Sequence, residues 1–123
     1  MPAEIRALVP MVQVADVVRS ITFYERLGFH VENTHTPPGD SAPSWAWLGG
    51  GAAQFMLVGA ESPLDPERQG VLFYLYYPDV SEAKRELEAA GIESGPIEFP
   101  FYAPQGEFRV IDPDGYCLMV SHT

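Results

Sequence analysis

From Arg6 to Val14 the chain reads RALVPMVQV, a run of apolar and β-branched residues, and beyond Asp16 the apolar spacing changes. Val17, Ser20, Ile21, Tyr24 and Leu27 then recur every three or four residues. The change of period predicts a strand followed by a helix with one buried face. Asp16 is placed to cap the helix start, and Gly28 to stop it in a left-handed turn. Further strands are expected at Phe29 to Thr36, Ser44 to Leu48 and Ala53 to Val58, the last two joined by Gly49-Gly50-Gly51. The order is β-α-β-β-β.

The same order returns at an offset of 63 residues: Asp16 falls on Asp79, Gly28 on Gly91, Pro37 on Pro100 and Met56 on Met119. A strand over Val71 to Tyr77 leads to a helix with Val80, Ala83, Leu87 and Ala90 inward. Strands near Pro96 to Phe101, Glu107 to Ile111 and Tyr116 to Ser121 complete the second copy. Asp112-Pro113-Asp114-Gly115 is a turn, because proline presets one φ and glycine accepts a positive one. Two copies are too few for a solenoid. The expected architecture is therefore α+β, a single domain over 1–123 with module one at 6–58, a linker at 59–70 and module two at 71–121. Each module covers one sheet face with its helix and leaves the other open. Packing the open faces together would enclose a cleft, within one chain or by exchange of modules between two, so a homodimer is expected.

Composition narrows the partners. Lys and Arg number 7 against 17 Asp and Glu, a net charge of −10, which repels nucleic acid and anionic membranes and favours cationic ligands. No apolar run approaches the roughly 20 residues that span a bilayer. The single cysteine, Cys117, cannot form an internal disulfide, and the expected compartment is the cytoplasm.

The stretch Val14-Ala-Asp-Val-Val-Arg-Ser-Ile-Thr-Phe-Tyr-Glu-Arg-Leu-Gly-Phe29 resembles the first helix of the vicinal oxygen chelate superfamily. Glyoxalase I, bleomycin-resistance proteins, fosfomycin-resistance enzymes and extradiol dioxygenases are members. Phe108-Arg-Val-Ile-Asp-Pro-Asp-Gly-Tyr-Cys-Leu-Met119 is similar to its closing hairpin. The resemblance implies the paired βαβββ fold. It also implies metal ligands on the first and fourth strand of each module, at positions that here hold Val9, Met56, Leu72 and Met119. None offers the imidazole, carboxylate or amide oxygen that metal-dependent members use. No metal and no cofactor is expected.

Strand alternation places Met11 and Gln13 beside Val9, Tyr74 and Tyr76 beside Leu72, and Gln54 beside Met56. The offset matches Trp45 and Trp47 to Phe108 and Val110, putting all four on one strand face. The expected ligand-binding wall is Val9, Met11, Trp45, Trp47, Gln54, Met56, Leu72, Tyr74, Tyr76, Tyr102, Phe108 and Met119. It is apolar and aromatic with a few hydroxyls and amides, as a small-molecule pocket should be. Glu107 and Arg109 are the candidates for metal-free catalysis, as base and anion holder.

The reading preferred on these residues is a metal-free binding protein, like the bleomycin-resistance branch, that takes a small aromatic or cationic molecule in the inter-module cleft. The alternatives are a lyase or isomerase of the superfamily, with displaced metal ligands or metal-free acid–base chemistry, and a dimeric module without small-molecule activity.

Overall fold

The computed structural model describes residues 3–122. The chain divides into two compact units, Met1–Pro63 and Leu64–Thr123. The described residues form two α-helices and two mixed sheets, of four and three strands.

The first unit runs β1 (Met11–Val14), α1 (Val17–Leu27), β2 (His30–His35), β3 (Trp45–Gly50) and β4 (Ala53–Gly59). Its sheet has the order β1-β4-β3-β2, with β1 parallel to β4 and the other pairs antiparallel. Asp16 Oδ1 accepts from Arg19 N at 3.1 Å and caps the helix. Gly28 closes the other end at φ 110°, and Phe29 N reaches back to Tyr24 O at 3.0 Å. That closure folds the Phe29 ring onto the helix. Tyr24, Phe29 and Phe55 then meet edge to face, with centroids 4.7 to 5.9 Å apart. Such pairs add about 0.5–1.5 kcal/mol each beyond the area they bury.

The predicted first strand is shortened. Arg6 to Val9 lie outside β1, and Pro10, which has no N–H for the ladder, contributes only its carbonyl to Met56 N at 2.8 Å. Val9 is thus half-buried ahead of the strand, not part of it.

The second unit begins with a 3-10 turn at Pro66–Arg68, inside the segment expected to be a plain linker. It continues through β5 (Leu72–Tyr77), α2 (Val80–Ala89), β6 (Phe108–Ile111) and β7 (Cys117–His122). The sheet order is β5-β7-β6, parallel then antiparallel. Asp79 Oδ1 accepts from Glu82 N at 3.0 Å. Past Ala90, Gly91 turns at φ 86° and Ile92 N donates to Leu87 O at 2.9 Å, the same closure as in α1. Lys84 fastens α2 to its surroundings, donating to Ser94 Oγ and Gly95 O, both at 2.7 Å, with its ammonium 5.2 Å from the Phe108 ring centre.

One strand of the second copy is reduced to a bridge. Between Pro96 and Phe101 only Glu98 pairs, exchanging backbone hydrogen bonds of 2.8 and 2.9 Å with Glu107. Pro96 and Pro100 flank it and cannot donate. The β6–β7 turn is held by Asp112, whose Oδ1 accepts from Asp114 N and Tyr116 N, each at 2.8 Å. Gly115 sits at φ 90°, and a Cβ there would lie 2.5 Å from the Pro66 Cα and carbonyl oxygen. The 3-10 turn therefore seats directly on the hairpin.

Candidate functional site

Each sheet carries two chemically different faces, and strand register sorts them. In the first unit Val12, Val14, Ala46, Leu48, Phe55 and Leu57 are buried on the helix side. Met11 pairs with Met56 and Met56 with Trp47; Gln13 pairs with Val58 and Val58 with Trp45. Laterally paired residues point the same way, so these six, with Gln54, form the open face. The Trp45 and Trp47 rings meet at 6.4 Å and 74°. Trp47 Nε1 is buried without a hydrogen-bond partner. Across β2, Asn33 pairs with Trp47 and His35 with Trp45, so the His35 imidazole stands at the edge of this face.

In the second unit the open face is richer in chemistry. Leu72 pairs with Cys117, Tyr74 with Met119 and Tyr76 with Ser121, while Arg109 pairs with Met119 from the other side. Tyr74 and Tyr76 are 40% and 60% exposed and stack with centroids 6.0 Å apart and planes 23° apart. Tyr102 reaches in from the loop after the Glu98 bridge to hydrogen-bond with Tyr74. The Tyr74 hydroxyl has its pKa raised above the ordinary value, first by desolvation, then by the negative charge of Glu107, then by Tyr102. Cys117 Sγ lies 3.9 Å from Met119 Sδ, so the thiol is engaged within the sheet.

Glu107 stands out on this face. It is 4% exposed, and its Oε1 is buried with no hydrogen-bond partner. A buried carboxylate oxygen left unsatisfied is costly and uncommon. The residue borders a cavity of 410 Å³ that Pro96, Glu98, Phe108, Arg109 and Met119 also line.

The expected wall is thus assembled in two parts. Met11, Trp45, Trp47, Gln54 and Met56 share the open face of the first sheet; Leu72, Tyr74, Tyr76 and Met119 share that of the second, with Tyr102 at its edge. Val9 lies ahead of β1 and Phe108 on the far side. Phe108 pairs with Val120, is 1% exposed and lies under Lys84, so its ring belongs to the helix side although it borders the cavity. The match of Trp45 and Trp47 with Phe108 and Val110 therefore fails. The hairpin between β6 and β7 is one residue longer than that between β3 and β4, since Trp47 pairs with Met56 but Arg109 with Met119. A one-residue slip exchanges the faces. The residues that correspond to the tryptophans are Glu107 and Arg109. Glu98 was not among the expected site residues; its place opposite Glu107 is hidden by the prolines that erase its strand.

The residues present do not fit the metal centre of the family's metal-dependent members. Val9, Met56, Leu72 and Met119 offer hydrocarbon and thioether, not hard donors. Among the described residues, no three His, Cys, Asp or Glu side chains come together in a way that could hold an ion. No helix of the described residues is long and apolar enough to cross a membrane.

A β-strand, a crossover helix and a mixed sheet with one open face, built twice in a chain of this length, define the paired-module α+β class. The chain belongs to the Glyoxalase/Bleomycin resistance protein/Dioxygenase superfamily, whose model matches residues 6–120. No curated protein matches the sequence. Among solved structures it is similar to a bleomycin-binding protein complexed with bleomycin, at 22% identity and a TM-score of 0.75, covering 97% of this chain and 99% of the other. It is also similar to a bleomycin resistance determinant encoded on the transposon Tn5, at 22% identity, TM-score 0.76, over 97% and 98%. The bleomycin-binding protein of Streptomyces verticillus, complexed with copper(II)-bleomycin, matches at 17% identity and TM-score 0.73, over 99% of both chains. At these identities the likeness is one of fold.

Proposed function

We propose that the protein binds a small aromatic or cationic molecule without using a metal, in the manner of the bleomycin-binding members of its superfamily. The observation that carries this reading is the tyrosine shelf of the second sheet. Tyr74 and Tyr76 are stacked and exposed, and Tyr74 is tied to Tyr102, on a face that also carries a thioether, a hydroxyl, the Arg109 guanidinium and the spare oxygen of Glu107. Parallel rings with open faces suit a planar ligand, and an aromatic cation gains attraction from them as well. The net charge of −10 would draw such a ligand in. The bleomycin-binding neighbours support the ligand class by analogy of fold only. We extend the reading to a cytoplasmic homodimer, supported by the single Cys117 and the open sheet faces, and checked by light scattering.

The test is a thermal-shift screen of aromatic and cationic compounds, bleomycin included, followed by calorimetry on any hit. A saturable rise in melting temperature supports the reading. No shift across the panel sinks it. Stoichiometric nickel, zinc, iron or manganese in protein purified without a histidine tag would overturn its metal-free part.

One observation favours an enzyme as second reading: Glu107 is buried, unpartnered and close enough for its charge to act on the Tyr74 hydroxyl. A carboxylate so placed could take a proton from a bound substrate, with Tyr74 returning one. Turnover of a bound compound that Glu107→Gln abolishes, with affinity kept, would support it.

A further inference from the structure

We propose that Glu107 reads charge for the second unit: its buried carboxylate receives a protonated amine or guanidinium that the ligand carries next to an aromatic ring lying on Tyr74 and Tyr76. This rests on the binding reading above and specifies what the ligand must carry.

Glu107 Oε1 can only accept, and no donor of the described residues meets it. Arg109, two residues on and on the same face, is exposed and forms no ion pair with it among the described residues. Glu98 pairs with Glu107 across the bridge, so both carboxylates leave the backbone on one side, and both line the 410 Å³ cavity. The neighbourhood holds acceptors in excess. A neutral donor would leave the carboxylate's charge unpaired, whereas a cation gains a charge-assisted hydrogen bond. The tyrosines fix the rest of the ligand. Since Phe108 pairs with Val120, Glu107 falls in register with Ser121, which pairs with Tyr76, so the carboxylate and the ring shelf share one sheet face. An ammonium at Glu107 would place an attached ring over the shelf, with cation–π attraction at its edge.

Calorimetry with two matched probes tests this: naphthylmethylamine, cationic at neutral pH, and naphthalenemethanol, its neutral counterpart in shape. The wild type should prefer the amine by about tenfold or more, as loss of one charge-assisted hydrogen bond implies. Glu107→Gln should bring that preference close to unity. Glu61→Gln, an exposed site in the other unit, removes the same net charge and should keep the preference. Raising the pH until the amine is neutral should erase the preference in the wild type, a readout that needs no variant. Undiminished amine binding by a folded Glu107→Gln protein overturns the anchor while the binding reading stands. Failure of both probes and of the wider panel to bind the wild type overturns the binding reading and the anchor with it.

Discussion

Neutralising Glu107 without changing its shape should make the ligand-free protein more stable. Its Oε1 is buried and unpartnered in a residue 4% exposed. An unsatisfied neutral polar atom costs about 1–3 kcal/mol, and a charged one more. Glu107→Gln exchanges the second penalty for the first, and only one of the two carboxylate oxygens is involved, so the expected gain is about 1–2 kcal/mol. In a chain of 123 residues, each kcal/mol moves the melting midpoint by about 4 °C, giving a rise of about 4–8 °C. The assay is a circular-dichroism melt at pH 7 and low salt, with Glu61→Gln as the exposed control expected to stay within about 0.5 kcal/mol. Saturating naphthylmethylamine should reverse the ranking. At a hundred times its Kd it adds about 2.7 kcal/mol to the wild type, and less to a variant that binds it weakly. A midpoint for Glu107→Gln equal to or below the wild type would refute the reasoning. It would mean that Oε1 is satisfied in the free protein and has nothing to offer a ligand.

Gly115→Ala should lose about 2–4 kcal/mol in urea unfolding, because a Cβ at φ 90° is strained and would also strike the Pro66 backbone at 2.5 Å. Gly39→Ala has the same φ with open space around it and should lose only about 1 kcal/mol, so equal losses would deny the Pro66 contact. Asp79→Ala and Asp16→Ala each remove a bond to the third helical N–H and should cost about 1 kcal/mol, read from chemical denaturation. Tyr77 has its pKa raised from 10.0, first by burial and then by the charge of Glu86. The folded state therefore holds the proton more tightly than the unfolded one. The associated stability is complete below pH 10 and drains away as pH rises towards the folded pKa. Tyr77→Phe should flatten that alkaline loss; identical melts above pH 10 for the two proteins would contradict it.

The parts of the fold legible in the sequence are those set by local chemistry. Asp16 and Asp79 each cap a helix through the same bond, and Gly28 and Gly91 each permit the turn that sends Phe29 and Ile92 back to the helix. Alternation likewise puts Leu72, Tyr74 and Tyr76 on one face, opposite Cys117, Met119 and Ser121. What the pattern misplaces depends on pairing between strands. Pro96 to Phe101 reads as a strand, yet its prolines leave one bridge; Phe108 reads as wall, yet one extra hairpin residue turns it under α2. A fixed offset of 63 carries the caps and the outer strands correctly and fails at β6, where loop length sets register. The same slip hides that Glu107 and Arg109, the candidates for metal-free catalysis, occupy the positions of the tryptophans.

Corrected for the slip, the two halves agree where the scaffold needs them to and differ where it does not. Capping aspartates, closing glycines and helix-side aliphatics recur because each module must end its helix and bury one sheet face. Open-face positions are under no such demand, and there Trp45 and Trp47 answer to Glu107 and Arg109. At the positions where metal-dependent relatives keep a ligand, Met56 answers to Met119, and neither is a hard donor. The first face presents indole, amide and thioether with the His35 imidazole at its edge; the second presents phenol, thioether, carboxylate and guanidinium. A fold shared with binding proteins and enzymes alike therefore says little about chemistry here. On the two open faces, Trp47 Nε1 and Glu107 Oε1 are both buried without a partner, and of these Glu107 is the carboxylate oxygen that a ligand cation would complete. A cationic ligand would complete that oxygen with a charge-assisted hydrogen bond, and the stability gained by Glu107→Gln in the free protein measures what its absence costs.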